Sequence, residues 1–107
     1  MTTYKKNPVG WDTYWNDAQT HPHHLRRTIE SKANDAYFEK HPNTNGAYYT
    51  VRVLRIFRLL VLTIEQRGEI TPTTLQYIAE LEHEPAPLLK ELTEFLVEVG
   101  VIYRTSG

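Results

Sequence analysis

Residues 95–104, FLVEVGVIYR, contain the boundary between a helix and a strand. Apolar residues recur at helical spacing as far as Val99, and a single glycine, Gly100, follows. Glycine readily adopts the left-handed conformation that commonly ends a helix. The next residues, 101–103, are β-branched or aromatic, which favours an extended strand. This stretch therefore predicts that the last helix ends at the glycine and that the chain turns directly into a short C-terminal strand.

Five helices are predicted from the spacing of the apolar residues and from the turn residues between them. The longest, residues 47–67, is apolar around most of its circumference, which is typical of a central helix packed on several sides. The following helix begins with Thr71 as its N-cap and Pro72 in its first turn. Residues 5–10, KKNPVG, are interpreted as an irregular entry because Asn-Pro is a turn signal and Gly10 a helix breaker. The predicted helices cover residues 11–20, 22–41, 47–67, 72–83 and 84–99.

Length and composition indicate one domain of 107 residues and argue against several functional classes. The chain has no cysteine, so neither a disulfide nor a thiolate zinc site can form, and a cytoplasmic location is expected. The N-terminus lacks the apolar segment of a signal peptide. Arginines interrupt the most apolar stretch, residues 51–64, so no membrane span is expected. No catalytic or nucleotide-binding motif is present, so we expect neither an enzyme nor a cofactor.

Two segments in the C-terminal half carry a family resemblance. Residues 92–104, LTEFLVEVGVIYR, combine a leucine-rich helix end, a glycine, an apolar pair and a basic residue. Residues 70–81, ITPTTLQYIAEL, form a preceding helix with the small residue Ala79 and with Leu81 on its expected buried side. Together these segments resemble the third and second helices of the winged helix-turn-helix superfamily. The resemblance covers residues 48–104.

The expected fold class is all-α, that is, mainly helical. Residues 46–107 would form a winged-helix-like core of three helices, and residues 1–45 an N-terminal helical extension. One short C-terminal strand would complete the single domain. The chain ends at Gly107, which leaves no room for a returning strand, so the wing is expected to be truncated or absent.

The family resemblance implies duplex DNA binding, with the third helix in the major groove. The chain would then be a small transcriptional regulator that acts as a homodimer. Within this interpretation, Lys90 and Arg104 contact phosphate with the assistance of Arg26 and Arg27. The residues expected at the nucleic acid are Arg26, Arg27, Pro87, Lys90, Glu91 and Arg104.

The charge distribution supports a different function. Residues 69–107 carry a net charge of −5, whereas a nucleic-acid-binding face is usually basic. A third helix with one lysine and several glutamates is a poor match to phosphate. The alternative hypothesis is therefore a winged-helix-like protein–protein interaction module, whose acidic third helix binds a basic partner or mimics nucleic acid.

The arginines of the central helix distinguish these two hypotheses. Arg52, Arg55 and Arg58 are spaced three apart, so they lie along one side of that helix. They either form a basic ridge for phosphate or pair with the glutamates of residues 80–98. DNA binding gains support if basic residues from several elements converge on one face with the third helix; they are Arg26, Arg27, Arg52, Arg55 and Arg104. If these residues are scattered or paired with glutamates, the interaction module gains support.

Aromatic residues near the N-terminus have two possible roles. Trp11, Tyr14 and Trp15 recur at helical spacing, so they share one face. If exposed, they would form an interface to a partner or a second copy, because Trp and Tyr are enriched among binding hot spots. If buried, they would cover the core. The histidines at positions 21–24 are expected to be solvated, because two of them are adjacent and point apart, and no metal site is predicted.

Overall fold

The computed structural model describes residues 2–20, 28–42 and 46–106, and in these ranges helices predominate over a small sheet. The prediction of a mainly helical chain is therefore confirmed. No helix of the described ranges is long and apolar enough to cross a membrane. In chain order, the elements are β1 (Thr2–Lys6), α1 (Pro8–Gln19), α2 (Ile29–Lys40), α3 (Ala47–Arg67), β2 (Glu69–Ile70), α4 (Pro72–Glu82), α5 (Ala86–Glu98) and β3 (Ile102–Ser106).

The ends of the helices follow the residues expected to cap them. Gly68 ends α3 and Gly100 follows α5, with φ angles of 78° and 89° that an L side chain rarely adopts. The Thr71 hydroxyl oxygen accepts a hydrogen bond from the Thr74 amide at 3.2 Å, so it caps α4. Helix α2 begins after Thr28, which caps it in the same way. The predicted start of this helix near residue 22 lies outside the described residues.

The sheet has three strands in the order β2-β1-β3. The predicted C-terminal strand is present as β3, but the prediction that it is the only strand is wrong. Strand β1 is the middle strand and pairs antiparallel with both neighbours; Tyr4 lies opposite Ile70 on one side and Arg104 on the other. The expected N-terminal helical extension therefore begins with a strand that belongs to the sheet of the C-terminal half. The strands that pair with β1 are more than 60 residues away in the sequence, and no local sequence pattern predicts such a pairing.

The segment predicted as an irregular entry, residues 5–10, is instead the end of β1 and the first turn of α1. Gly10 does not break the helix. A Cβ at this position would overlap the carbonyl oxygen of Gly100, so the glycine allows α1 to lie directly against the turn between α5 and β3. Asn7 stabilises this contact with two hydrogen bonds. Its backbone N–H donates to the Val101 carbonyl at 3.0 Å, and its side-chain amide donates to the Gly100 carbonyl at 3.1 Å.

Helix α3 lies at the centre of the core, as its apolar circumference predicts. Its Phe57 ring is fully buried and contacts Tyr37 of α2 and Phe95 of α5, with centroids 6.1 Å away in both cases. Tyr37 and Phe95 also meet edge to face at 5.4 Å. Each such buried ring contributes roughly 1.5–3 kcal/mol by leaving water. These aromatic contacts hold α2 against α5 and thereby shape the surface described next.

Candidate interaction surface on helix α5

Helix α5 corresponds to the third helix of the predicted winged-helix core, and it separates apolar from charged side chains. Leu89, Leu92 and Leu96 are fully buried, and they recur at the spacing of one helical face. The other face exposes Pro87 and Lys90 near the start of the helix. It also carries three glutamates along its length, which are Glu91, Glu94 and Glu98.

These glutamates border a groove of about 490 Å³ between α5, the end of α2 and strand β3. We call it the α5 groove. Its floor is apolar and aromatic, whereas its sides carry charges of both signs. Because α2 lies beside α5 here, the charged face of α5 is partly flanked by another helix. The lining residues are Tyr37, Lys40, His41, Glu91, Glu94, Phe95, Val97, Glu98 and Arg104.

Two of the glutamates are held by side chains from α2. The Tyr37 hydroxyl donates to Glu91 at 2.8 Å, and Lys40 donates to both carboxylate oxygens of Glu98 at 2.6 and 2.8 Å. Burial of Tyr37, with the neighbouring Glu91 carboxylate, raises the pKa of its hydroxyl. Glu98 is thus paired with a cation, whereas Glu91 accepts a hydrogen bond from a neutral hydroxyl group.

The third glutamate, Glu94, connects α5 to the sheet. Its carboxylate accepts hydrogen bonds from the Tyr4 hydroxyl of β1 and from the Arg104 guanidinium of β3, the latter at 2.7 Å. Burial raises the pKa of Tyr4 to about 12, and the adjacent carboxylate adds to the shift. Sequence reasoning missed Tyr4 and Tyr37 as partners of α5, because these contacts span long chain separations and have no local signature.

Two arginines of α3 are paired with glutamates at the end of α4 and in the connection that follows it. Arg52 donates to both oxygens of Glu84, whose side chain is 5% exposed, and this hydrogen bonding raises the pKa of the guanidinium. The Arg55 guanidinium nitrogen Nη2 lies 3.0 Å from the Glu82 carboxylate oxygen Oε2. The pairing alternative considered for the arginine ridge is therefore present at these two positions.

Among the described residues, those expected at DNA do not form one cationic face. Lys90 is exposed on α5 and forms no ion pair with another described residue, whereas Arg104 is held by Glu94. Pro87 and Glu91 lie on the exposed face of α5, as expected. Arg26 and Arg27 lie outside the described residues.

Of the N-terminal aromatic residues, one is buried in the core, one is half-buried and one is exposed, so they do not share a single role. Trp11 is buried in the core, and the Lys6 ammonium lies 4.9 Å from its ring centroid. Tyr14 is half-buried beneath Lys32, whose ammonium lies 3.9 Å from the ring centroid. Trp15 remains 36% exposed, so one of the three aromatic side chains offers surface to a partner.

No family model, curated protein or solved structure matches this chain. Within residues 2–20, 28–42 and 46–106, no group of three or more metal-ligating side chains could hold an ion. The histidines at positions 21, 23 and 24 lie outside these ranges.

Proposed function

We propose that this chain is a winged-helix-like protein–protein interaction module that binds a basic partner through the α5 groove. The order α3, β2, α4, α5, β3 supports the winged-helix likeness. Strand β1 supports it further, because it pairs antiparallel with β3 where a returning wing strand would lie. In this proposal, β1 takes the place of the second wing strand.

The observation that carries the proposal is the pairing of the arginines. Arg52, Arg55 and Arg104 are each paired with a glutamate, which a phosphate would have to displace. Phosphate contacts supply much of the affinity of DNA-binding proteins, and α5 itself offers only one cation to them, the exposed Lys90. Fold likeness alone does not imply DNA binding.

A basic partner, by contrast, would find accessible carboxylates. Glu91 is exposed and has no cationic partner among the described residues, so an arginine or lysine of the partner can bind it first. Glu98 is also exposed, and a second cation can compete with Lys40 for it. The aromatic and apolar floor of the α5 groove offers contact to the stems of such long side chains.

Duplex DNA remains the second candidate, favoured by one observation. Lys90 and Pro87 are exposed at the start of α5, where the winged-helix resemblance would direct side chains toward the major groove.

Fluorescence anisotropy with two labelled probes tests both candidates. The probes are an arginine- and lysine-rich peptide and a mixed-sequence DNA duplex, each titrated from low to physiological salt. We expect the peptide to bind and the duplex not to bind. Glu91→Gln should weaken peptide binding about fivefold, the effect of losing one surface ion pair. Glu65→Gln, the same change at an exposed position of α3, should leave binding unchanged.

Two results would contradict the proposal. One is duplex binding that falls steeply with salt while the peptide fails to bind, which would assign the chain to DNA. The other is peptide binding that Glu91→Gln and Glu65→Gln weaken equally, which would locate the peptide elsewhere on the molecule.

A further inference from the structure

Strand β3 forms one edge of the sheet, because it pairs with β1 on one side only. It also borders the α5 groove, which Arg104 helps to line. The strand is five residues long, and neither a proline nor a bulge in it would prevent further pairing. The strand at the opposite edge, β2, has only two residues. The edge of β3 is therefore the one at which a further strand can be added.

The hydrogen bonds of the sheet show which backbone groups of β3 face outward. In an antiparallel pair, residues that exchange hydrogen bonds alternate with residues that do not. The backbone N–H of Asn7 donates to the Val101 carbonyl. Two residues further along, Lys5 and Tyr103 are therefore the next hydrogen-bonded pair. The β3 residues between the bonded positions point their N–H and C=O groups away from β1. They are Ile102, Arg104 and Ser106.

The pairing of β1 with β2 gives the same assignment. The backbone N–H of Lys6 donates to the Gly68 carbonyl at 3.1 Å, so Lys6 faces β2 and the preceding residue, Lys5, faces β3. Within the described ranges, no residue forms a hydrogen bond with the outward backbone groups of β3. An unpaired strand edge is a template for pairing with another strand.

The outward residues of β3 carry their side chains on the α5 side of the sheet. Ile102 is 1% exposed, and Arg104 is paired with Glu94 of α5 at 2.7 Å. Side chains directly opposite each other in an antiparallel pair lie on the same face. A strand that exchanges hydrogen bonds with these residues therefore directs every second side chain toward the α5 groove.

The charges of the groove determine where cations on such a strand are favourable. β3 runs back along α5 after the turn at Gly100, because Arg104, the middle residue of the strand, contacts Glu94. Glu98 therefore lies toward the start of β3, and Glu91 lies toward its end. These two glutamates are about 10 Å apart along the helix axis, and four residues of a strand span about 14 Å.

We propose that the basic partner binds as an extended strand, paired antiparallel with β3, that carries two basic residues four positions apart. This inference rests on the proposed function and specifies the partner's conformation and the spacing of its cations. One cation lies opposite Ile102 and reaches Glu98, and the other lies opposite Ser106 and reaches Glu91. The central residue between them, opposite Arg104, is uncharged, because like charges directly opposite each other are destabilising. Strand addition is a recurring mode of peptide recognition.

The same repulsion argues against a second copy of this chain at the edge. Symmetric antiparallel pairing of two β3 strands about their middle residues places the two Arg104 side chains opposite each other on one face. A partner segment with an uncharged central residue avoids this contact and brings its cations to the glutamates of α5.

Two peptides of identical composition test the strand geometry by fluorescence anisotropy. The two basic residues are four positions apart in one peptide and three positions apart in the other. On a strand, only the four-position spacing puts both side chains on one face, whereas on a helix both spacings do. We expect the four-position peptide to bind about fivefold more tightly, the effect of one surface ion pair. Equal affinities would overturn the proposal.

Backbone methylation tests the pairing itself and leaves the charge of the peptide unchanged. In the antiparallel arrangement, the N–H groups of the two basic residues face β3, and those of their inner neighbours face away. Methylation of the first two nitrogens removes two hydrogen bonds and should weaken binding at least about tenfold. Methylation of the other two should leave the affinity unchanged. Equal losses, or a larger loss for the second peptide, would overturn the proposal.

Amide hydrogen exchange measured by NMR detects the same pairing on the chain. Saturation with the four-position peptide should slow exchange at Arg104 at least about tenfold, because its N–H then has a partner. Tyr103, which already bonds to β1, should change less. Unchanged exchange at Arg104 would overturn the proposal. Protection that grows with chain concentration in the absence of peptide would also overturn it and assign the edge to a second copy.

These outcomes are distinguishable from failure of the proposed function. If no basic peptide binds, the proposed function and the strand pairing both fail. If the peptide binds and Glu91→Gln weakens it, but the two methylated peptides bind equally, the α5 groove remains the binding site and only the strand pairing is overturned.

Discussion

Replacement of Arg52 by methionine tests whether the arginine ridge is structural. The guanidinium is 38% exposed, but its partner, the Glu84 carboxylate, is 5% exposed and accepts two hydrogen bonds from it. Arg52→Met replaces the aliphatic part of the side chain, removes the guanidinium and leaves this carboxylate buried without a cation. Breaking a fully buried pair costs about 3–5 kcal/mol, and partial exposure of the arginine reduces the expected loss to about 2 kcal/mol. By the size scaling of thermal unfolding, this corresponds to a fall in Tm of about 10 °C.

The neighbouring ion pair provides the control. Arg55 is 66% exposed and Glu82 is 16% exposed, so Arg55→Met should cost less than about 1 kcal/mol. Urea unfolding followed by circular dichroism measures both variants, and an unchanged m-value would show that the two-state comparison holds. If Arg52→Met and Arg55→Met are equally destabilised, burial of Glu84 does not set the cost and the reasoning fails. If Arg52→Met instead abolishes ligand binding without loss of stability, the arginine belongs to a binding surface.

Three further predictions concern the N-terminal contacts and α5. Gly10→Ala should destabilise the fold by about 2–3 kcal/mol in urea unfolding, because its Cβ would overlap the Gly100 carbonyl. Gly46→Ala, with open space at its Cβ, should cost less than about 1 kcal/mol, the loss expected from a poorer N-cap residue of α3. Because the pKa of Tyr4 is raised to about 12 from 10.0, its contribution to stability is full below pH 10 and is lost as the pH rises through 12. Tyr4→Phe should therefore flatten the fall of the urea midpoint between these pH values, and an unchanged fall would contradict the assigned shift. Lys90→Glu should tighten binding of the basic peptide about threefold in the anisotropy assay, and weaker binding would count against an acidic site on α5.

Local sequence signals predicted most of the C-terminal half. The helices α3, α4 and α5 were located from apolar spacing, and Gly68, Thr71 and Gly100 marked ends that the structure confirms. These signals work because helical hydrogen bonds and caps join residues within about four positions of one another. The exposure of Lys90 and Glu91 on α5 followed from the same periodicity.

The candidate site was only partly predictable for the same reason. The sequence shows that α5 carries glutamates, but not that Tyr37 and Lys40 of α2 bind two of them. It shows arginines on α3, but it left open whether they are free or paired. Leu81 fits the apolar stripe of α4 and is nevertheless 54% exposed, because the helix contacts its neighbours over a narrower face than its apolar residues cover.

Local patterns in the sequence are enough to establish the helical character of the chain, the glycine ends of α3 and α5 and the distribution of charge. Only the folded chain shows that β1 lies between β2 and β3, that Arg52 and Arg104 pair with glutamates, and that Leu62, Tyr77 and Leu81 are exposed. The difference arises from how far apart in the sequence the interacting residues are. Turn and helix preferences are energies of neighbouring residues, whereas strand pairing and ion pairing depend on which distant segments the whole core brings together.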